Sequence, residues 1–462
     1  MIKIVTATLI CIVWIYGLFY LDRTPRDRTR WEMWLPTIWF FLFASHPLSF
    51  WLGIGGNANR VARYQEGNPF DATIFALLTL AGMVVLVGRS RPVERFFKNN
   101  SAILFYYLYC AVSISWSDYP FVTFKRWIKA IGDVVMVLIL VTDAQPVETT
   151  KRLLTRMAFV LLPLSALFDK YYPNLAREYA IAGKPMISGV TGTKNELGSL
   201  CLMLGVAALW ITLDLWRNRK APHRSRRMLA HGFVVVLAYL LCKQADSMTS
   251  FSCLLMAGAV MVLASLPIVR RRRGLIHGVV WGIAGLSLFA TVIAPSAGLL
   301  EMLGRSPTLT GRTQIWSAVL SVHTNPLIGA GFQNFWMGSR MLRADQLCGM
   351  GIQEAHDGYL QIYLDLGWIG VFLLGVVIFT GYAKIVALYR QNYRVGMALL
   401  AYFTAIIVYN ISEAGFGSPG LTWEMLILSI ILATEQFHME SRMKLAKRRS
   451  KLKAMAPPFE GH

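Results

Sequence analysis

The chain has 462 residues, with 46 Lys and Arg against 25 Asp and Glu, a formal net charge of +21 and six cysteines. Hydrophobic residues make up 55% and charged residues 15%, against a charge content of about 25% in soluble domains, and the mean hydropathy is +0.48. These values exclude a soluble enzyme, a disulfide-stapled secreted module and a disordered chain, and leave a polytopic membrane protein.

A helical span needs about 20 mostly apolar residues. Runs of that kind begin near Ile2, Met33, Ala72, Ser101, Trp127, Arg152, Asn195, Leu229, Ser250, Leu275, His356, Met397 and Leu421, so the expected fold is all-α, a bundle of 12–14 transmembrane helices. The run at 2–21 has a single basic residue at its start, Lys3, and no small-residue cleavage site. It reads as a retained helix rather than a secretory signal. Taken by alternate connections, one side of the bundle collects 30 of the 46 Lys and Arg, in 22–32, 88–100, 144–152, 216–228, 270–273, 384–396 and the tail. That side is expected to be cytoplasmic. Charge spread over short loops makes no continuous basic face, so no nucleic-acid partner is expected. The tail run Lys444–Lys451 suits anionic membrane lipids, with a solvated anchor as the plainer alternative.

The expected organisation is about ten transmembrane helices in 1–297 with an outer loop at 169–194, then a long periplasmic loop at 298–355 with short helices. C-terminal transmembrane helices follow in 356–437 and a basic cytoplasmic tail in 438–462. A loop as long as 298–355 exceeds what a helix connection needs, and such loops usually carry function. Five cysteines fall in the apolar runs and Cys348 in the long loop, so that loop cannot close a disulfide on itself. No Cys/His pair has metal-ligand spacing.

The outward segments share one device, polar residues at the start of a helix. In Gly192-Thr193-Lys194-Asn195-Glu196, Thr193 and Glu196 fit a capping box. The free N–H groups and positive dipole end of that helix, with Lys194 beside them, suit an anion; an ordinary capped helix is the alternative. In Thr310-Gly311-Arg312-Thr313-Gln314-Ile315-Trp316, a short amphipathic helix over 312–323 would place Arg312 in its first turn. An arginine fork there suits phosphate, although a lone loop arginine is more often simply solvated. In Glu354-Ala355-His356-Asp357-Gly358-Tyr359, a helix would put His356, Tyr359, Leu360 and Tyr363 on one face. A helix N-terminus disfavours the imidazolium, so His356 is expected to be neutral and able to accept a proton, or else to be a plain cap residue. Asp365 reads as an intramembrane acid paired with His356 or with a buried cation. Asn410, Ser412, Glu413, Asp246 and Thr249 add outward polar groups, and Trp316, Phe332, Phe335 and Trp336 could stack on sugar rings or form an interfacial belt. The chain has no Gly-Lys-Ser/Thr phosphate loop, no Asp-x-Asp pair and no Gly-x-Ser-x-Gly, which argues against ATP drive, a metal-dependent transferase and a serine hydrolase.

Arg312-Thr-Gln-Ile-Trp316, Pro326-Leu-Ile-Gly329-Ala-Gly331-Phe332-Gln-Asn-Phe335-Trp336 and Ala355-His356-Asp357-Gly358-Tyr359-Leu360 together resemble the O-antigen ligase/Wzy polymerase superfamily, most of all exopolysaccharide polymerases of the ExoQ type. Trp116–Pro120, Phe124–Arg126, Gly192–Asn195 and Asn410–Glu413 support the match in order along the chain. The resemblance implies a GT-C-like membrane glycosyltransferase of the bacterial inner membrane, using undecaprenyl-pyrophosphate-linked oligosaccharide on the periplasmic side without metal or cofactor. It implies His356 as general base, Arg312 as pyrophosphate ligand, and Lys194, Asn195, Tyr359 and Glu413 as substrate-binding residues. A chain-length regulator or flippase of the same pathway would be a partner. Two positions depart from the pattern: Lys194 stands where related ligases often have arginine, and Asp357 follows the histidine where Asn is common. An acid at 357 would raise the pKa of His356. The alternatives are an O-antigen ligase acting on lipid A core and a lipid-linked glycan transporter.

Overall fold

The computed structural model describes residues 2–24, 30–54, 67–179, 185–272, 274–289, 310–349, 351–417 and 420–455. Each of the thirteen apolar runs coincides with a helix. In chain order the helices of ten or more residues are α1 (Ile2–Asp22), α2 (Trp34–Phe43), α3 (Pro69–Val87), α4 (Ser90–Asn99), α5 (Ser101–Val112), α6 (Pro120–Val141), α7 (Pro146–Tyr171) and α8 (Lys194–Arg217). They continue as α9 (Arg224–Gln244), α10 (Met248–Ser265), α11 (Leu275–Leu288), α12 (Thr310–Ser321), α13 (Gly338–Cys348), α14 (Gly358–Gln391), α15 (Tyr393–Tyr409) and α16 (Leu421–Met455). Six of them, α1, α3, α8, α9, α10 and α14, are long and apolar enough to cross a membrane. The Met33 run yields only ten helical residues and the Leu275 run fourteen. The outer loop 169–194 contains a small antiparallel hairpin, Arg177–Tyr179 with Pro185–Ile187, that an all-helical reading did not anticipate. The domain boundary at 297/298 and loop residues 298–309 lie outside the described residues.

The chain is an all-α polytopic membrane protein. Trp39, Phe159, Trp210, Phe403 and Trp423 are buried in the bundle core, while Leu9, Val13, Val84, Phe105, Phe372 and Phe379 point outward and are exposed. In water that distribution would cost the hydrophobic effect over a large surface; in a bilayer it costs nothing.

Polar contacts gather at two opposite ends. At one end, Asp22 of α1 binds Arg227 and His231 of α9, Lys151 of α7 binds Asp214 of α8 at 2.7 Å, and Arg89 bonds Glu32 and Thr142. At the other end the start of α8 meets Glu413, the chain at Asn410 receives the N–H of Gly358, and Thr249 meets Ser412. In the core, Trp39 Nε1 donates to Asp133 at 3.0 Å and Glu424 at 3.1 Å, tying α2 to α6 and α16.

The end of the long loop is clamped onto a break in α14. Gly367 there has φ +64° and ψ −167°, which interrupts the helix. The loop supplies partners to the interrupted backbone: Ala330 and Gly331 donate to the carbonyls of Leu364 and Asp365, and Trp368 and Ile369 donate to those of Pro326 and Leu327. A side chain on Gly367 would overlap the backbone of Leu327, and one on Gly329 (φ +67°) would overlap that of Asp365. Two backbones approach here as closely as glycine allows. Gly367→Ala adds a positive-φ extended conformation almost confined to glycine, costing about 1–3 kcal/mol, to a backbone collision. The expected result is a marked loss of folded protein on size exclusion after mild detergent extraction, with Gly375→Ala, at an open position of the same helix, behaving as wild type.

The same clamp accounts for three of the quoted motifs. Trp116 Nε1 donates to Ile328 O, Arg126 donates to Gln333 O, and Asp118 pairs with Arg340 at 2.6 Å. Asp365 accepts from the Phe335 N–H at 3.0 Å and from Gln361 at 2.9 Å. It therefore holds the loop; of the two partners expected from sequence, the cation that acts on it electrostatically is Arg126, while His356 is engaged by Glu354 and Glu413. Phe332, Phe335 and Trp336 are likewise buried, at 2%, 0% and 3% exposure. They pack the loop against the bundle and are closed to sugar stacking.

Candidate active site

Thr193 caps α8 as its sequence predicts, with both halves of the capping box present: its hydroxyl accepts from the Glu196 N–H, and Glu196 reaches back to the Thr193 N–H. The first turn of α8 thereby faces the same end of the bundle as the start of α14. α14 begins at Gly358 because the Asp357 carboxylate accepts the N–H groups of Tyr359 and Leu360, at 2.9 and 3.0 Å. A third helix start, that of α12 at Thr310, brings Arg312 to this end.

Glu413, on the turn after α15, joins them. Its Oε1 accepts from Arg312 Nη2 at 3.0 Å, and its Oε2 accepts from the Asn195 amide at 3.0 Å and lies 3.4 Å from His356 Nδ1. His356 Nδ1 is also 3.0 Å from Glu354 Oε1. Glu413 is buried, and Arg312 and His356 keep 24% and 31% of their side chains exposed, so both cations remain reachable from outside. The turn is set by Asn410, whose carbonyl accepts the Gly358 N–H and whose side chain accepts the Gly415 N–H, both at 2.8 Å. A side chain on Gly358 would overlap that amide.

The candidate residues thus fall into two groups. Arg312, His356, Asn195 and Glu413 meet in one cluster. Lys194 is half-buried beside Asn195, its backbone N–H directed at Glu178 at 3.4 Å. Tyr359 turns into the bundle, where its hydroxyl donates to Ile407 O and its ring packs on Phe416.

His356 differs from its expected state in three respects. It precedes the helix, in the left-handed region at φ +48°, a strained conformation for a side-chain-bearing residue that concentrates at functional sites. It shares no helical face with Tyr359 and Tyr363. It is also not neutral: burial works to lower its pKa, but the bonds and charges of Glu354 and Glu413 outweigh burial and raise it to about 10. The acids responsible are Glu354 and Glu413, while Asp357 is engaged in capping. Glu354 is the member of the cluster that the sequence reading did not single out, although it lies two positions before the histidine. Donor atoms of Glu354, His356 and Glu413 lie within 4.8 Å of one another, close enough for a divalent cation, although the Arg312 guanidinium already occupies one Glu413 oxygen.

A polytopic helical membrane protein that gathers a guanidinium, an imidazole and two carboxylates beside the start of α8 has the parts to meet an anionic group and to move a proton. Comparison with characterised proteins narrows the class. The exopolysaccharide production protein ExoQ of Rhizobium meliloti (strain 1021) is 24% identical over 291 residues, which cover 60% of this chain and 62% of that protein. The chain therefore spans less than two thirds of the length of this curated relative. No protein-family profile matches it.

Proposed function

We propose that this protein is a membrane glycosyltransferase that polymerises polyprenyl-pyrophosphate-linked oligosaccharide repeat units into exopolysaccharide on the periplasmic side. The observation that carries the reading is the convergence of Arg312 and His356 on Glu413, with ExoQ as a distant relative. A lipid pyrophosphate is already a good leaving group. Transfer then needs cationic and N–H groups for the charge that develops on it, and a base for the attacking hydroxyl. His356 takes the proton from a hydroxyl of the acceptor sugar. That oxygen bonds to the anomeric carbon of a second lipid-linked unit as the carbon–oxygen bond to pyrophosphate breaks, with inversion. Arg312 holds the departing pyrophosphate, with Lys194 as a further cation and the positive dipole end of α8 beside it. Glu413 orients both Arg312 and His356 from behind.

An imidazole must be unprotonated to act as a base. With its pKa held at about 10, kcat/KM is expected to rise with pH through the neutral range. Glu354→Gln removes the nearer carboxylate and lowers that pKa, so the rising limb moves to lower pH; a pH–rate profile of the two proteins that superimposes would remove the base assignment.

The function is tested with purified protein, synthetic carrier-linked oligosaccharide and a chelator, sizing products by mass. Multimers of the repeat unit formed without metal or ATP support the proposal, and dependence on metal would instead assign Glu354, His356 and Glu413 to a cation. A ligase would transfer its donor only when lipid A core is supplied, and a transporter would leave the units unjoined.

A further inference from the structure

At the end of the bundle opposite Glu413, α14 and α16, with Asn99 of α4, line an open cavity of about 330 Å³. Ala383 and Ala387 of α14, with Ala433 and Phe437 of α16, make it mostly apolar, and Lys384 and His438 stand in its wall. Ala383 is exposed and Ala387 half-buried, so the cavity opens on the outer surface of the bundle. The Lys384 ammonium has three donors, two of which reach Asn99 O at 2.7 Å and Asn100 Oδ1 at 2.9 Å. That fixes the charge at the rim with one donor still to give. Arg95 and Arg442 lie close enough to act electrostatically on His438, as does Lys384. The carboxylates nearby are already engaged, Glu435 by Arg95 at 2.9 Å and Glu440 by Asn392.

An apolar slot open to the bilayer, under a rim of cations, is complementary to an amphipathic anion. Free phosphate would leave the alanine and phenylalanine walls unexplained, and a zwitterionic lipid would bring its own ammonium against the charges of Lys384, Arg95 and Arg442, a like-charge juxtaposition that an anionic lipid avoids. Basic pockets between transmembrane helices bind anionic headgroups in this way. We propose that this cavity binds an anionic phospholipid, its phosphate at Lys384 and His438 and an acyl chain along Ala383, Ala387 and Phe437. The proposal rests on the membrane fold and stands apart from the glycosyltransferase reading.

Native mass spectrometry of the full chain in detergent, offered equal amounts of phosphatidylglycerol and phosphatidylcholine, tests it. The wild type is expected to retain phosphatidylglycerol at least about fivefold more than phosphatidylcholine, and excess inorganic phosphate should not displace it. Lys384→Gln should bring the two lipids to parity. Ala387→Phe, which fills the slot without changing charge, should abolish retention of either. Circular dichroism melting reports whether each variant is folded, and the Ala387 variant keeps the test open if loss of the Asn99 and Asn100 bonds unfolds the other. Equal retention of both lipids by the wild type, displacement by phosphate alone, or wild-type retention by a folded Ala387→Phe protein would overturn the proposal.

Discussion

His356→Ala is expected to lower polymer formation by about 10²–10⁴-fold, the contribution of a positioned general base, while single lipid-linked repeat units accumulate. The fold should survive the change. His356 lies outside the helix that follows it, that helix is capped by Asp357, and the positive-φ strain of the position is carried by any side chain. The imidazole's Nδ1 is directed at Glu354 and Glu413, which leaves Nε2 for the substrate. This polarity resembles the histidine–carboxylate pair of hydrolytic triads, where the carboxylate fixes the ring and the far nitrogen takes the proton. Full polymer yield from a folded His356→Ala protein, measured by product mass, would remove the base.

Arg312→Ala should cost about 10²–10³-fold, as loss of one preorganised charge donor does in other enzymes. Among the described residues Arg312 bonds Glu413 through Nη2, and the guanidinium fork has further donors to offer an incoming anion. Its removal takes away pyrophosphate binding and also frees Glu413 to hold His356 more tightly in the protonated state. Both effects act in the same direction. Lysine at 312 restores the charge without the planar fork, so Arg312→Lys should recover only part of the rate. Turnover measured over a range of donor concentrations separates the two contributions. An unchanged rate in Arg312→Ala would place the pyrophosphate elsewhere.

Much of this arrangement was legible in the sequence, because the bilayer and the helix terminus impose local rules. Each apolar run became a helix, the capping box at Thr193–Glu196 formed, and Arg312 fell in the first turn of a short helix. What local rules could not supply was pairing between distant segments. Asp365 read as the partner of His356 or of a buried cation, and its hydrogen bonds show a further role, since it accepts a loop N–H thirty residues back in the chain. Phe332, Phe335 and Trp336 looked available, yet they are buried where the loop packs on the bundle. His356 looked neutral at a helix start, but Glu413, 57 residues on, and Glu354, two residues before it, hold it protonated. The positive φ of His356 also broke the helical spacing that had grouped it with Tyr359. Glycines at 329 and 367 gave the one readable sign of the loop clamp, and their meaning depends on the two backbones meeting.

The most direct measurement is a cryo-EM map of the purified His356→Gln variant bound to a lipid-pyrophosphate oligosaccharide. Pyrophosphate density within hydrogen-bond reach of Arg312, with a sugar hydroxyl close enough to residue 356 for proton transfer, about 2.6–3.2 Å in the native enzyme, is the predicted result. Pyrophosphate density at the opposite, arginine-rich end of the bundle, or remote from both side chains, would contradict it.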